Sequence, residues 1–105
     1  MNKNNLPSIY SYGDYSNGNY GAHCICIEIP PSRKGKYGID LYFSYNTLVA
    51  FRGKISDNER GLYVHKNVWG STTGKHLNFI DYGNKDSRYD SNTFEKLYKK
   101  ALKNA

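Results

Sequence analysis

At 105 residues with a formal net charge of +6, the chain has the size of one domain, and its field favours phosphates or an acidic protein face as partners. No apolar run reaches the roughly 18 residues of a membrane span, and the start MNKNNLPSIY lacks the basic end and apolar core of a secretion signal, so a cytoplasmic protein is expected. Hydrophobic residues are only 38% of the chain, and eleven tyrosines supply large rings whose hydroxyls need water or a partner, so a core rim rich in Tyr is expected.

Residues 1–9 show no periodicity and are expected to be flexible, ahead of a single α+β domain over 10–105. Tyr10, Tyr12, Tyr15 and Tyr20, spaced by Gly, Ser, Asn and Asp, read as a turn-rich segment draped over that domain. Residues 22–29 alternate, with Ile25, Ile27 and Ile29 on one face and Cys24, Cys26 and Glu28 on the other, which predicts a strand. Neighbouring strand cysteines are poorly oriented for a disulfide, so both are expected as reduced, buried fillers, and the lack of paired ligand spacing argues against zinc. Pro30 and Pro31 end the strand, and 32–38 form a basic loop holding Arg33, Lys34 and Lys36.

Residues 39–44 and 48–52 read as two strands joined by a short hairpin through Tyr45, Asn46 and Thr47. A turn over 53–61 precedes a strand at 62–65, and connections this short predict an antiparallel sheet of about four strands. Thr72 or Thr73 is expected to cap a short helix near 73–81 that stops at Gly83. Asn92 with Glu95 reads as a capping box for a C-terminal helix near 92–104, whose apolar stripe is Phe94, Leu97, Tyr98, Ala101 and Leu102. Lys96, Lys99, Lys100 and Lys103 fall on its outer face, and the last three complement the helix dipole.

Three sets of residues carry candidate chemistry. The first interleaves basic and aromatic side chains at Arg33, Lys34, Lys36, Tyr37, Arg52, Lys54, Lys66 and Trp69, a mixture suited to gripping phosphates and stacking bases. The second is Gly70 to His76, where Gly, hydroxyl residues and Lys75 precede a helix; it departs from a phosphate-binding P-loop in its glycine spacing and in the His after the Lys. The third would use His76 as general base, Asp81 to orient it, and Ser71, Thr72 or Thr73 as nucleophile. His23 and His65 read as strand residues near the surface.

Three stretches, Tyr12-GDYSNGNYGA-His23, Tyr42-FSYNTLVAF-Arg52 and Lys66-NVWGSTTGKHLNFI-Asp81, resemble an uncharacterised family of short proteins from phages, plasmids and their bacterial hosts. The resemblance implies a setting in which small proteins bind host machinery, nucleoprotein defence complexes such as CRISPR effectors included. A DNA mimic would be acidic, so the basic charge favours a binder of nucleic acid or of an acidic face. The leading expectation is a non-enzymatic binding protein of phage or mobile-element origin, an anti-defence (anti-CRISPR-like) factor engaging a host nucleoprotein. A direct DNA- or RNA-binding domain is the alternative, and a small enzyme centred on Thr72, Thr73, Lys75 and His76 the third reading. Expected contacts are Arg33, Lys34, Lys36, Arg52, Lys54, Trp69, Lys75 and His76, with no cofactor.

Overall fold

Alternation across 24–29 asks for a strand with a neighbour on each side, and the computed structural model, which describes residues 6–13 and 23–105, supplies both. Five strands, β1 (Ser8–Ser11), β2 (Cys24–Ile29), β3 (Ile39–Ser44), β4 (Thr47–Ser56) and β5 (Glu59–Val64), form one sheet in sequence order. Every neighbouring pair is antiparallel, as short connections require. Among the described residues two helices complete the α+β fold, α1 (Ser71–Asp81) and α2 (Ser91–Asn104), joined through a 3-10 turn at Lys85–Ser87.

The sheet has one strand more than the four expected, because Ser8–Ser11 pairs with β2 through Ile9 opposite Ile27 and Tyr10 opposite Cys26. Of the segment 1–9 expected to be flexible, Ser8 and Ile9 therefore belong to the sheet. Residues 1–5 and 14–22, which include Tyr15 and Tyr20 of the expected drape, lie outside the described residues. Tyr12 does hold to the domain, its hydroxyl donating to the Phe43 carbonyl at 2.9 Å. The turn expected over 53–61 shrinks to Asp57 and Asn58, since β4 runs on to Ser56 and β5 begins at Glu59.

Side-chain alternation then sends the helices to opposite faces. Leu41, Phe51 and Tyr63 are aligned across β3, β4 and β5, and with Ile39 they meet Phe94, Leu97, Tyr98 and Ala101 of α2. The next row, Cys26, Tyr42, Ala50 and Val64, points the other way and meets Leu77 and Ile80 of α1. Burial of each large apolar side chain in these layers is worth roughly 1.5–3 kcal/mol. A bulge beside Tyr42 leaves Val49 as the extra residue of β4, and Val49 and Ala50 are both fully buried. The cysteine face of β2 lies deeper than its isoleucine face: Cys24 and Cys26 are fully buried and not disulfide-bonded, while Ile25, Ile27 and Ile29 are only partly covered.

Helix ends differ from the sequence reading in instructive ways. Gly70, not Thr72 or Thr73, occupies the N-cap of α1, and no side chain caps it. Thr73 instead turns inward, where its hydroxyl lies 2.9 Å from Ser44 Oγ. Helix α1 closes at Tyr82, in the left-handed region at φ 57°, followed by Gly83. Helix α2 starts earlier than the Asn92–Glu95 box proposed, with Asp90 at the N-cap accepting from the Thr93 amide at 2.9 Å. Leu102, placed on the apolar stripe by spacing, is 46% exposed; the last turn of α2 instead meets the sheet through Ala101 and through Asn104, whose Nδ2 donates to the Lys54 carbonyl at 2.9 Å.

Candidate functional site

The basic loop 30–38 folds onto the C-terminal end of α2. Backbone amides of Ser32 and Gly38 donate to the Ala105 carbonyl, that of Tyr37 donates to Asn104 at 2.8 Å, and Lys36 Nζ donates to the Lys103 carbonyl at 2.7 Å. These bonds satisfy carbonyls that a helix end leaves open and set a positive charge at its negative pole. Lys54 is engaged nearby, its ammonium 3.9 Å from the Tyr37 ring centroid and 3.0 Å from the Asp57 carbonyl. Arg33 and Lys34 remain at the rim of an open depression of about 670 Å³, with Pro7, Pro30 and Pro31 as its apolar wall.

Arg52 stands apart from that loop. On β4 it faces Asp40 across the β3–β4 pairing, with Arg60 and Glu28 also close to that carboxylate. Burial, then the Glu28 charge, pushes the Asp40 carboxyl above its usual range, and Arg52 and Arg60 pull it back. Two carboxylates and two guanidiniums thus balance on this part of the sheet.

At the opposite end of the sheet, elements distant in sequence enclose a cleft of about 450 Å³. Lys66 arrives on the segment after β5, whose course is set by amide bonds from Lys66 to the Tyr89 carbonyl and from Tyr89 to Val64. Lys75 and Ser71 project from the first turn and a half of α1, Asn78 from the next turn, and Lys85 from the 3-10 turn. Lys66, Lys75 and Lys85 are all exposed. Arg88 forms the floor: its Nε and Nη2 donate to the two carboxylate oxygens of Asp81 at 2.7 and 3.0 Å, and Nη2 also donates to Asn78 Oδ1 at 3.0 Å. With side-chain exposures of 4% and 9%, Arg88 and Asp81 act as a fixed strut, most of whose charge cancels locally.

The N-terminal end of α1 opens onto the same cleft, with no acidic residue in its first turn and no side-chain cap. Its amides and dipole therefore add positive potential to that of the lysines. Gly74 permits the close approach of the loop, since a Cβ there would stand 2.9 Å from Asn67 Nδ2. Asn67 in turn shapes the loop: its Oδ1 accepts from the amides of Trp69 and Gly70 at 3.0 and 3.3 Å, and its Nδ2 donates to the Gly70 carbonyl at 2.9 Å. Trp69 is braced against the His65 imidazole at 4.8 Å between ring centroids and keeps 41% of its surface exposed.

His65 is buried, contrary to the surface position expected of it. The Lys66 carbonyl 2.6 Å from Nδ1 can only accept, so Nδ1 carries a proton, and Nε2 pairs with the Ser91 hydroxyl at 2.9 Å. His76, a candidate contact, is fully buried beneath α1, where Nδ1 shares a hydrogen bond with Ser44 Oγ at 2.7 Å. Asp81, expected to orient His76, is held by Arg88. The hydroxyl that does meet His76 is Ser44, two strands away in sequence, and together with Thr73 this set lies in the interior. Among the described residues, no three His, Cys, Asp or Glu side chains are grouped to hold a metal ion.

The candidate contacts thus fall into separate places: Arg33, Lys34, Lys36 and Lys54 at one end, Arg52 on the sheet, and Lys75, Trp69 and the buried His76 at the other. Lys66 was legible as part of a basic and aromatic run; Lys85, Asn67 and Arg88 were not singled out. A hydrophilic loop with no pattern gives no signal for them until α1 and the 3-10 turn bring them to Lys66.

Among the described residues, fold and cleft define a small α+β domain with a five-stranded antiparallel sheet, a helix on each face and a lysine-lined cleft at one end. The chain belongs to a family of unknown function, DUF8033, whose model matches residues 4–96 and so spans all three stretches that suggested an uncharacterised family. No curated protein and no solved structure matches it. No helix among the described residues is long and apolar enough to cross a membrane.

Proposed function

We propose that this protein is a non-enzymatic binding protein that engages a phosphate-bearing partner, a nucleic acid alone or within a nucleoprotein, through the cleft at the start of α1. The observation that carries this reading is convergence: Lys66, Lys75 and Lys85, from three different segments of the chain, line one cleft beside a helix N-terminus without a side-chain cap. An anion there would meet ammonium groups and oriented backbone amides together, the combination that phosphate sites use. Interior placement of Ser44, Thr73 and His76 favours binding over catalysis, because a reacting group must reach its substrate.

The resemblance to short phage and plasmid proteins supports a mobile-element origin and a role against host nucleoprotein, of the anti-CRISPR-like kind. Two cysteines that form no disulfide agree with a reducing, cytoplasmic setting. The test is a titration with heparin and with nucleic acid over a range of salt. Three phosphate contacts predict that log Kobs falls against log salt with a slope of about −2 to −3. Changing Lys66, Lys75 and Lys85 to Gln together should flatten that slope; equal binding by the triple variant, or binding flat in salt for the native chain, overturns the reading.

A further inference from the structure

We infer that the cleft and Trp69 form one site for single-stranded nucleic acid, in which a base stacks on the indole while adjoining phosphates take Lys66 and Lys75. This rests on the proposed phosphate-binding role of the cleft and goes further by naming the form of nucleic acid and the residue that selects it. Three observations meet at the loop 66–70. It sends Lys66 and Asn67 into the cleft wall, and two residues later it presents Trp69 at the surface. Its shape is set in advance by the three hydrogen bonds of Asn67 and by the His65 ring behind the indole. Its tip is also apolar on the outside, with Val68 66% exposed beside Trp69.

A braced, exposed indole next to cationic side chains is the arrangement that single-strand binders use, because every base has a face to stack and a phosphate close by. A duplex keeps its bases stacked on one another, so it would gain the phosphate contacts of the cleft and lose the stacking contribution. The cleft volume of about 450 Å³ lies within the usual range for a bound small molecule or nucleotide-sized group. Bracing matters because a loop already ordered in the free protein loses little conformational entropy on binding.

Trp69 is the sole tryptophan, so its fluorescence reports on this loop without labelling. An oligothymidylate of about 12 nucleotides, within the footprint of about 4–16 typical of compact single-strand binders, should quench that emission on binding. A duplex of equal length should bind more weakly and quench less. By anisotropy of a labelled oligothymidylate, Trp69→Ala should weaken binding about 5- to 150-fold, the equivalent of one stacked base. Trp69→Phe should restore most of the loss, which separates stacking from disturbance of the loop. Single-strand and duplex affinities that are equal, or a Trp69→Ala variant that binds as the native chain does, overturn this inference; if the lysine triple variant is still weakened, the cleft reading stands. Failure of heparin, duplex and oligothymidylate alike removes both.

Discussion

Nδ1 of His76 and Oγ of Ser44 meet at 2.7 Å inside the protein, joining the middle of α1 to the end of β3. Thr73 Oγ1, 2.9 Å from the same Ser44 oxygen, extends the link by one helical turn. Apolar contacts from Leu77 and Ile80 set how deeply α1 sits, whereas this polar chain sets its position along the sheet, and with it where Lys75 and Ser71 stand in the cleft.

Ser44→Ala should therefore lower stability by about 1–3 kcal/mol, the cost of taking the hydrogen-bond partner from a buried polar atom. Urea unfolding checks this, with an unchanged m-value expected. A change smaller than about 0.5 kcal/mol, the size of an ordinary surface substitution, would mean that the interior supplies another partner at no cost.

Asp81 and Arg88 tie the end of α1 to the segment that leads into α2. Asp81→Asn should destabilise the fold by about 3 kcal/mol or more, because it leaves a guanidinium buried without its counter-charge. Replacing Arg88 with Met in the same chain should recover part of that loss, since removing both charges avoids the uncompensated one. Thermal and urea unfolding of the single and double variants provide the comparison.

Gly38 has φ +75°, and a Cβ there would stand 2.7 Å from the Ile29 carbonyl oxygen. Gly38→Ala should cost more than about 1 kcal/mol and loosen the loop 30–38 from the end of α2. Amide exchange should report that loosening at Tyr37 and Gly38, whose backbone N–H groups are spent on Asn104 and Ala105. Protection equal to that of the native chain would contradict it.

Asp90 is held below the ordinary aspartate value of 3.8, chiefly by the Thr93 amide and then by its hydroxyl, with smaller help from the charges of Lys66 and His65. A depressed carboxyl stabilises the folded state above its unfolded pKa and loses that contribution as the pH falls through the folded value. The stability of the native chain should thus decline in acid below 3.8 more steeply than that of Asp90→Ala. At neutral pH the variant should be the less stable, with its loss confined to the first turn of α2. Parallel pH profiles for the two proteins would show that the cap is energetically silent.

Much of this architecture was legible because local patterns are enforced by local geometry. Alternation in 24–29 and 39–44, with connections too short for crossovers, leaves antiparallel pairing as the workable arrangement. The spacing of Phe94, Leu97, Tyr98 and Ala101 can line one face only on a helix. Strand β1 escaped notice because Ser8–Ser11 has neither strong alternation nor length, and pairing with β2 supplies what it lacks. The cap of α2 was misplaced because Asp90, Ser91 and Asn92 are all competent caps; the bonds that hold Tyr89 and Lys66 together stop the extended chain at Asp90 and settle the choice.

Composition and order of residues were enough for the α+β class, the positive field and the helical periodicity of the last turns, since each depends on neighbours along the chain. Where each charge ends up depends on contacts between segments far apart. Lys36 and Lys54, alike with Lys75 on the page, are occupied by a helix end and a tyrosine ring, while Lys66, Lys75 and Lys85 come to share one cleft. A cation's surroundings are a sum over space, and only the folded sheet, with a helix laid on each face, fixes the distances in that sum.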